Sequence, residues 1–164
     1  MNSNNHITVD QIKNDAEVIK KELVEWRHYL HAHPELSFKE ERTTHYIVNK
    51  LKNFGYTDIQ IGFGPLKTGV MVEIGSGRPC VMLRADIDAL PIQEQTGVEF
   101  CSQSNGVSKA CGHDAHITNL LGVAKLLKKY ENSIKGRVKL LFQPAEETRV
   151  KIYEKPLSGA GYVV

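Results

Sequence analysis

The strongest constraint in the chain is a pair of short apolar runs, VMLRAD and VKLLFQ, each turning polar at its carboxyl end and flanking a helix-like segment. That segment is predicted to start at His116 or Ile117, to carry Leu120, Leu121, Ala124 and Leu127 on one side, and to end near Tyr130 to Asn132. Strand, helix and strand in this order form a parallel crossover, which brings both strand ends to the same side of one sheet. Asp86 and Asp88 follow the first strand, and Glu146 and Glu147 follow the second. Cys111 and His113 lie on the loop that leads into the helix. Because residues 80–83 are continuously apolar, the first strand is expected to be central and covered on both faces.

Upstream, Ile12, Ala16, Ile19, Leu23, Trp26 and Leu30 recur in steps of three or four and predict a long helix from Val9 to about Ala32. Asp10 helps to open it and Pro34 closes it. A second helix is expected from Phe38 to Phe54, ending at Gly55. TDIQIGF and GVMVEIG then alternate in the manner of strands, and residues 91–109 read as loop or short edge structure. The stretch TRVKIYEKPL reads as loop, and SGAGYVV as the start of another helix.

The composition excludes several classes. Its 164 residues suffice for one domain with a core, with 41% hydrophobic and 24% charged residues. The formal charge of +2, with basic and acidic residues interleaved, gives no reason to expect nucleic acid. No apolar stretch is long enough to span a membrane, and MNSNNHITVD lacks the apolar region of a signal peptide. Three cysteines are too few and too odd in number for a disulfide scaffold, so a cytoplasmic location is expected. GFGPLKTG lacks the lysine and hydroxyl order of a phosphate-binding loop.

KACGHDAH, residues 109–116, raises three readings. The spacing of Cys111 and His113 lets both side chains reach one ion, with Gly112 permitting a tight approach. A cysteine and histidine nucleophile pair is the second reading, but it leaves the neighbouring glutamates without a task. The third makes Cys111 a small buried hydrophobe and His113 a polar opener of a helix. Metal binding is favoured because Asp86, Asp114, Glu146 and Glu147 also fall at element ends, where carboxylates repel one another unless a cation neutralises them. On extended backbone, Glu146 and Glu147 would face opposite sides, one toward the ion and the other toward its water. His116 can share the face of His113, and His28, His31 and His33 are expected to be surface or structural, with His31 the exception to watch.

Four ordered blocks, LHAHPELSFKEERT, VMLRADIDALPIQE, KACGHDAH and GRVKLLFQPAEE, resemble the N-terminal half of the metal-dependent amidohydrolases and peptidases that include bacterial aminoacylases, hippurate hydrolases and plant auxin-conjugate hydrolases. The resemblance implies a three-layer α-β-α fold of the α/β class with a largely parallel central sheet. It also implies that residues 1–164 form the N-terminal portion of a catalytic domain, without the smaller dimerisation or lid domain and the C-terminal part.

By the same resemblance Cys111, His113 and Glu147 are metal ligands, Glu146 is the general base, and Asp86 orients a ligand such as His113. His116 lies near the pocket with no assigned role. The cofactor implied is a divalent metal, zinc or manganese. Intact relatives hold two ions, whereas at most one is expected here because no histidine follows Glu147. The implied substrate is an N-acyl amino acid or small peptide, with a dipeptidase or carboxypeptidase as the runner-up. A noncatalytic remnant or interaction module is the alternative of a different class. Under either reading the partners expected for the chain are a second copy of itself or the missing C-terminal half.

Overall fold

In the computed structural model, which describes residues 7–148, 150–152 and 155–163, three helices pack on one face of a four-stranded sheet. Helix α1, Val9–Ala32, begins with a reciprocal capping box in which Thr8 and Gln11 satisfy each other's backbone N–H groups. This cap was missed in the sequence, where Asp10 drew attention. The apolar stripe of α1 is buried only at Ile19, Trp26, Leu30 and Ala32, and Ile12 remains exposed.

Helix α2 spans Glu41–Asn53 and starts later than expected, because Phe38 adopts a positive φ of 66° and turns the chain before the helix. Glu35 reaches its first turn and accepts from the amides of Arg42 and Thr43 at 3.0 and 2.8 Å. Strand β1, Ile59–Phe63, and strand β2, Leu66–Ser76, form an antiparallel pair. Strand β3, Cys80–Asp86, helix α3, His113–Lys129, and strand β4, Gly136–Gln143, form the expected crossover, with β3 parallel to β4.

The order in the sheet is β1-β2-β4-β3, and β2 pairs antiparallel with β4. The α/β class therefore holds, but the sheet is mixed rather than largely parallel, and β3 is an edge strand rather than a central one. Val81 and Met82 are each 51% exposed. A continuous apolar run records that a strand is suited to burial; among the described residues only β4 pairs with it.

The layering also differs from the expected three. Val70, Val72, Ile74, Leu140 and Phe142 alternate onto the face that meets Trp26, Leu30, Ile47, Leu51, Ile117 and Leu121. On the other face Glu73 pairs with Lys139 at 2.7 Å across β2 and β4. Helices α1, α2 and α3 all leave that face uncovered. Between the helices, Gly122 admits the Leu23 side chain, whose Cδ2 would lie 3.0 Å from an added Cβ, so α1 and α3 approach closely.

The segment expected as loop after Thr148 contains a short hairpin of β5, Val150–Ile152, and β6, Lys155–Leu157. Arg149, Tyr153, Glu154 and Val164 lie outside the described residues. A one-turn helix α4, Ala160–Val163, stands where SGAGYVV suggested one. Among the described residues no helix is long and apolar enough to cross a membrane.

Leu121, fully buried under α1 and the sheet, and Met82, half exposed on β3, separate core from edge. Leu121→Ala is expected to lower unfolding free energy by about 2–5 kcal/mol, and Met82→Ala by about 0.5 kcal/mol or less, in urea titrations. Equal losses would mean that β3 is covered in solution.

Candidate metal centre

The carboxyl ends of β3 and β4 lie side by side, with Asp86 opposite Gln143 in the parallel register. Immediately beyond β3, the chain passes through Asp88, whose side chain is fully buried. Its Oδ1 lies 3.1 Å from His113 Nδ1, and its Oδ2 accepts from Ser37 Oγ at 2.6 Å and from the Glu147 amide at 2.9 Å. Burial alone would raise this carboxyl, yet the bonds from His113, Ser37 and Glu147 hold it below the ordinary carboxylate range.

His113 opens α3 three residues earlier than the periodicity suggested, directly after Gly112 in a left-handed conformation (φ 85°). Burial opposes charge on the imidazole, but Asp88 and Cys111 outweigh it and push its pKa up to about 10. With Nδ1 engaged by Asp88, Nε2 faces outward, 3.7 Å from Glu147 Oε1 and 4.0 Å from Glu146 Oε2. Ligand atoms of Cys111, His113 and Glu147 all lie within 4.8 Å of one another.

Asp86 was expected to orient His113, and this is corrected by the structure: Asp88 does so. Asp86 instead accepts from Arg84 Nη2 at 3.4 Å and approaches His116 Nδ1 at 3.8 Å, while its buried Oδ1 has no hydrogen-bond partner among the described residues. Asp86, His113 and His116 form a second cluster of compatible ligand atoms. His113 has one free ring nitrogen, so it cannot serve both clusters at once.

The two glutamates do not face opposite ways. Pro144 leads into Ala145, which is fully buried with φ 51°, and this left-handed residue breaks the extended alternation on which that expectation depended. The conformation costs a non-glycine residue about 1–2 kcal/mol, and it is held at both ends. Glu40 Oε1 accepts from the Ala145 amide at 2.7 Å, and the Ala145 carbonyl accepts from the Gly159 amide at 2.7 Å.

Three supporting residues had no role in the sequence reading. Ser37 and Glu40 come from the SFKEE stretch before α2. Lys109 is buried and donates to the carbonyls of Ile87 and Asp88 at 2.6 and 2.8 Å, tying the end of β3 to the loop before α3. Burial pushes its ammonium below the usual lysine range, while nearby Cys111 and Asp88 oppose that shift. A lysine in a cysteine- and histidine-rich stretch was the only available signal, and nothing in its spacing marks it as buried.

Asp114 is not brought to the cluster. It turns to α1, where Arg27 Nε donates to it at 3.2 Å and His31 Nδ1 lies 2.9 Å away. His31 Nε2 is 3.0 Å from Glu94, whose other contacts are Thr96 Oγ1 and the Ser102 amide. His31 thus links the loop of residues 91–109 to the first turn of α3.

The Cys111 sulfur, the His113 imidazole and the Glu147 carboxylate thus converge near the strand ends of an α/β sheet as a candidate metal centre. The chain belongs to peptidase family M20/M25/M40, whose model matches residues 82–164. It is 43% identical to an N-acyl-L-amino acid amidohydrolase of Geobacillus stearothermophilus over 86% of its own length and 38% of that protein. It is 50% identical to an N-acetyl-L-cysteine deacetylase of Bacillus subtilis, over 79% of this chain and 31% of that one. Among solved structures, a dinuclear metal-binding peptidase of the M20 family from Bacillus subtilis superposes with a TM-score of 0.73 at 46% identity, covering 80% of this chain and 37% of that one. The chain thus spans less than two fifths of the length of these relatives.

Burial would raise the Glu94 carboxyl, but Thr96, Ser102 and His31 draw it down to about 2 from an ordinary 4.5. A depressed folded pKa contributes stability that is present above about pH 4.5 and is lost as pH falls toward 2. Denaturant titrations are expected to show wild-type stability declining through this window, with the decline shallower in Glu94→Gln. Identical slopes would remove Glu94 as its source.

Proposed function

We propose that this chain supplies the N-terminal portion of the catalytic domain of a metal-dependent amidohydrolase that cleaves the amide bond of N-acyl amino acids. The observation that carries this reading is the convergence of Cys111, His113 and Glu147 within bonding reach of one cation. The names of the similar amidohydrolase and deacetylase favour an N-acyl amino acid over a dipeptide.

The residues fit a divalent ion, zinc or manganese. Cys111, His113 and Glu147 would supply three protein donors, the number a catalytic zinc site takes, and the buried Asp86 Oδ1, without a hydrogen-bond partner among the described residues, belongs to the neighbouring cluster. Such an ion, when bound, acidifies water and polarises the acyl carbonyl. Asp88 keeps His113 Nδ1 occupied and so presents Nε2 to the ion. Glu147, whose amide donates to Asp88, would complete the donor set.

Glu146, whose side chain is 40% exposed at the rim, acts as general base. It takes a proton from the attacking water and returns it to the departing nitrogen. A second ion would need donors beyond these three, since Asp88 engages His113 Nδ1 and leaves a single ring nitrogen for either cluster. The exposed β3 edge fits pairing with a second copy or with a C-terminal half of the kind the longer relatives possess. The three cysteines are free, which suits a reducing cytoplasm.

The test is metal content of the purified chain together with hydrolysis of N-acetyl, N-benzoyl and indole-acyl amino acids. Bound zinc or manganese near one equivalent with turnover supports the reading, and absence of both removes it. Glu146→Gln is expected to lower turnover by roughly 100-fold or more while metal content stays near wild type. Retained turnover would reassign the base.

Asp88→Asn is expected to weaken metal affinity by about 10–100-fold. Asp86→Asn should weaken it less, as read by competition with a chromogenic chelator. The reverse ranking would restore Asp86 as the residue that orients His113.

A further inference from the structure

Beyond the strand ends, the centre leans on a carboxylate that lies outside the metal-ligand set and outside the chemistry. Glu40 ends the turn before α2 and is completely buried. Its Oε2 accepts from Thr68 Oγ1 on β2 at 2.8 Å, and its Oε1 accepts from the Ala145 amide at 2.7 Å. Thus one side chain bridges the start of α2, strand β2 and the segment that follows β4.

Ala145 is the pivot of that segment. Its positive φ turns the chain between Pro144 and Glu146, so that both glutamates come within 4.0 Å of His113 Nε2. Pro144 cannot donate a backbone hydrogen bond, and the Glu147 amide is already held by Asp88. The Ala145 amide is therefore the side-chain-held point of the turn upstream of the glutamates, gripped by Glu40, while the Ala145 carbonyl accepts from the Gly159 amide.

We infer that Glu40 is a positioning residue for the centre: its carboxylate grips the Ala145 amide and thereby sets the direction of Glu146 and Glu147 toward His113. The inference rests on the metal-centre reading for its consequence, but not for the contact itself. A glutamine at this position keeps an oxygen for the Ala145 amide and an NH2 group to donate to Thr68. Shape should therefore be preserved by glutamine and lost with alanine. Burial also raises the Glu40 carboxyl above its ordinary range, so the carboxylate form depends on the donors around it.

The experiment uses the ¹⁵N-labelled full chain with two readouts. The first is hydrogen exchange of the Ala145 amide without metal. The second is Co²⁺ titration followed by the thiolate-to-cobalt charge-transfer band. Glu40→Ala is expected to speed Ala145 exchange by about tenfold or more and to weaken Co²⁺ affinity by about tenfold. Glu40→Gln should stay close to wild type in both, and Thr68→Val, which spares the Ala145 contact, should leave both unchanged.

Wild-type exchange and wild-type Co²⁺ binding in a folded Glu40→Ala protein would overturn the inference. So would Thr68→Val reproducing the alanine effects, because Glu40 would then serve only the packing of α2 on β2. Should Glu40→Ala not fold, Glu40→Asp replaces it: one methylene shorter, it cannot span Thr68 and Ala145 together. Faster Ala145 exchange supports the inference, and unchanged exchange overturns it. If the wild-type chain takes up no Co²⁺, the metal reading fails while Ala145 exchange still decides the role of Glu40.

Discussion

A carboxylate removed from water must have its charge answered by donors, and Asp88 meets three of them, each from a different part of the chain. Ser37 arrives from the turn before α2, His113 from the first residue of α3, and the Glu147 amide from the segment after β4. Ser37 and Glu147 lie outside helix and strand, and His113 stands at the very start of its helix. The candidate centre is assembled because leaving any one donor away would strand part of a buried charge. Lys109 reinforces the same point from behind, since its two bonds fix the carbonyls of Ile87 and Asp88.

That arrangement also determines the electrostatic character of the pocket. Asp86, Asp88, Glu146, Glu147 and the Cys111 sulfur gather around one imidazole, and the upward shift of His113 to about 10 shows how strongly the site favours positive charge there. Without an ion, a proton on His113 answers this field. A divalent cation, as proposed above, would answer it through Cys111, His113 and Glu147, whose ligand atoms lie within 4.8 Å of one another.

Much of the architecture was legible in the sequence where local pattern and global fold agree. The stripe of α1 together with Pro34 after it marked the helix and its end, and the order strand, helix, strand predicted the parallel crossover with its acidic tips on one side. The same order led to the expectation that Cys111 and His113 meet the acidic strand ends, and ligand atoms of Cys111, His113 and Glu147 lie within 4.8 Å of one another, whereas the choice of those three came from the family resemblance. Where pattern and fold part, the sequence could not decide. Asp86 and Asp88 have the same parity, so no alternation rule separates them; what does is that β3 stops at Asp86 and the chain then turns inward. The central position expected for β3 failed because apolar character reports suitability for burial and not the presence of a neighbour. Ala145 carries no sequence sign of a left-handed conformation, which glycine or asparagine would have advertised.

The division of labour proposed for the adjacent glutamates is consistent with what holds each one. The Glu147 amide is bound to Asp88, and its side chain is the less exposed of the two, at 25% against 40%. A ligand benefits from such fixation, because an ion bound by a wandering carboxylate must repay the lost side-chain freedom. A general base has the opposite need. It must meet water on one side and a departing nitrogen on the other, and Glu146 at the exposed rim has room to do so. The left-handed turn at Ala145 reconciles these demands by placing both carboxylates near one imidazole nitrogen while anchoring only the second through its backbone.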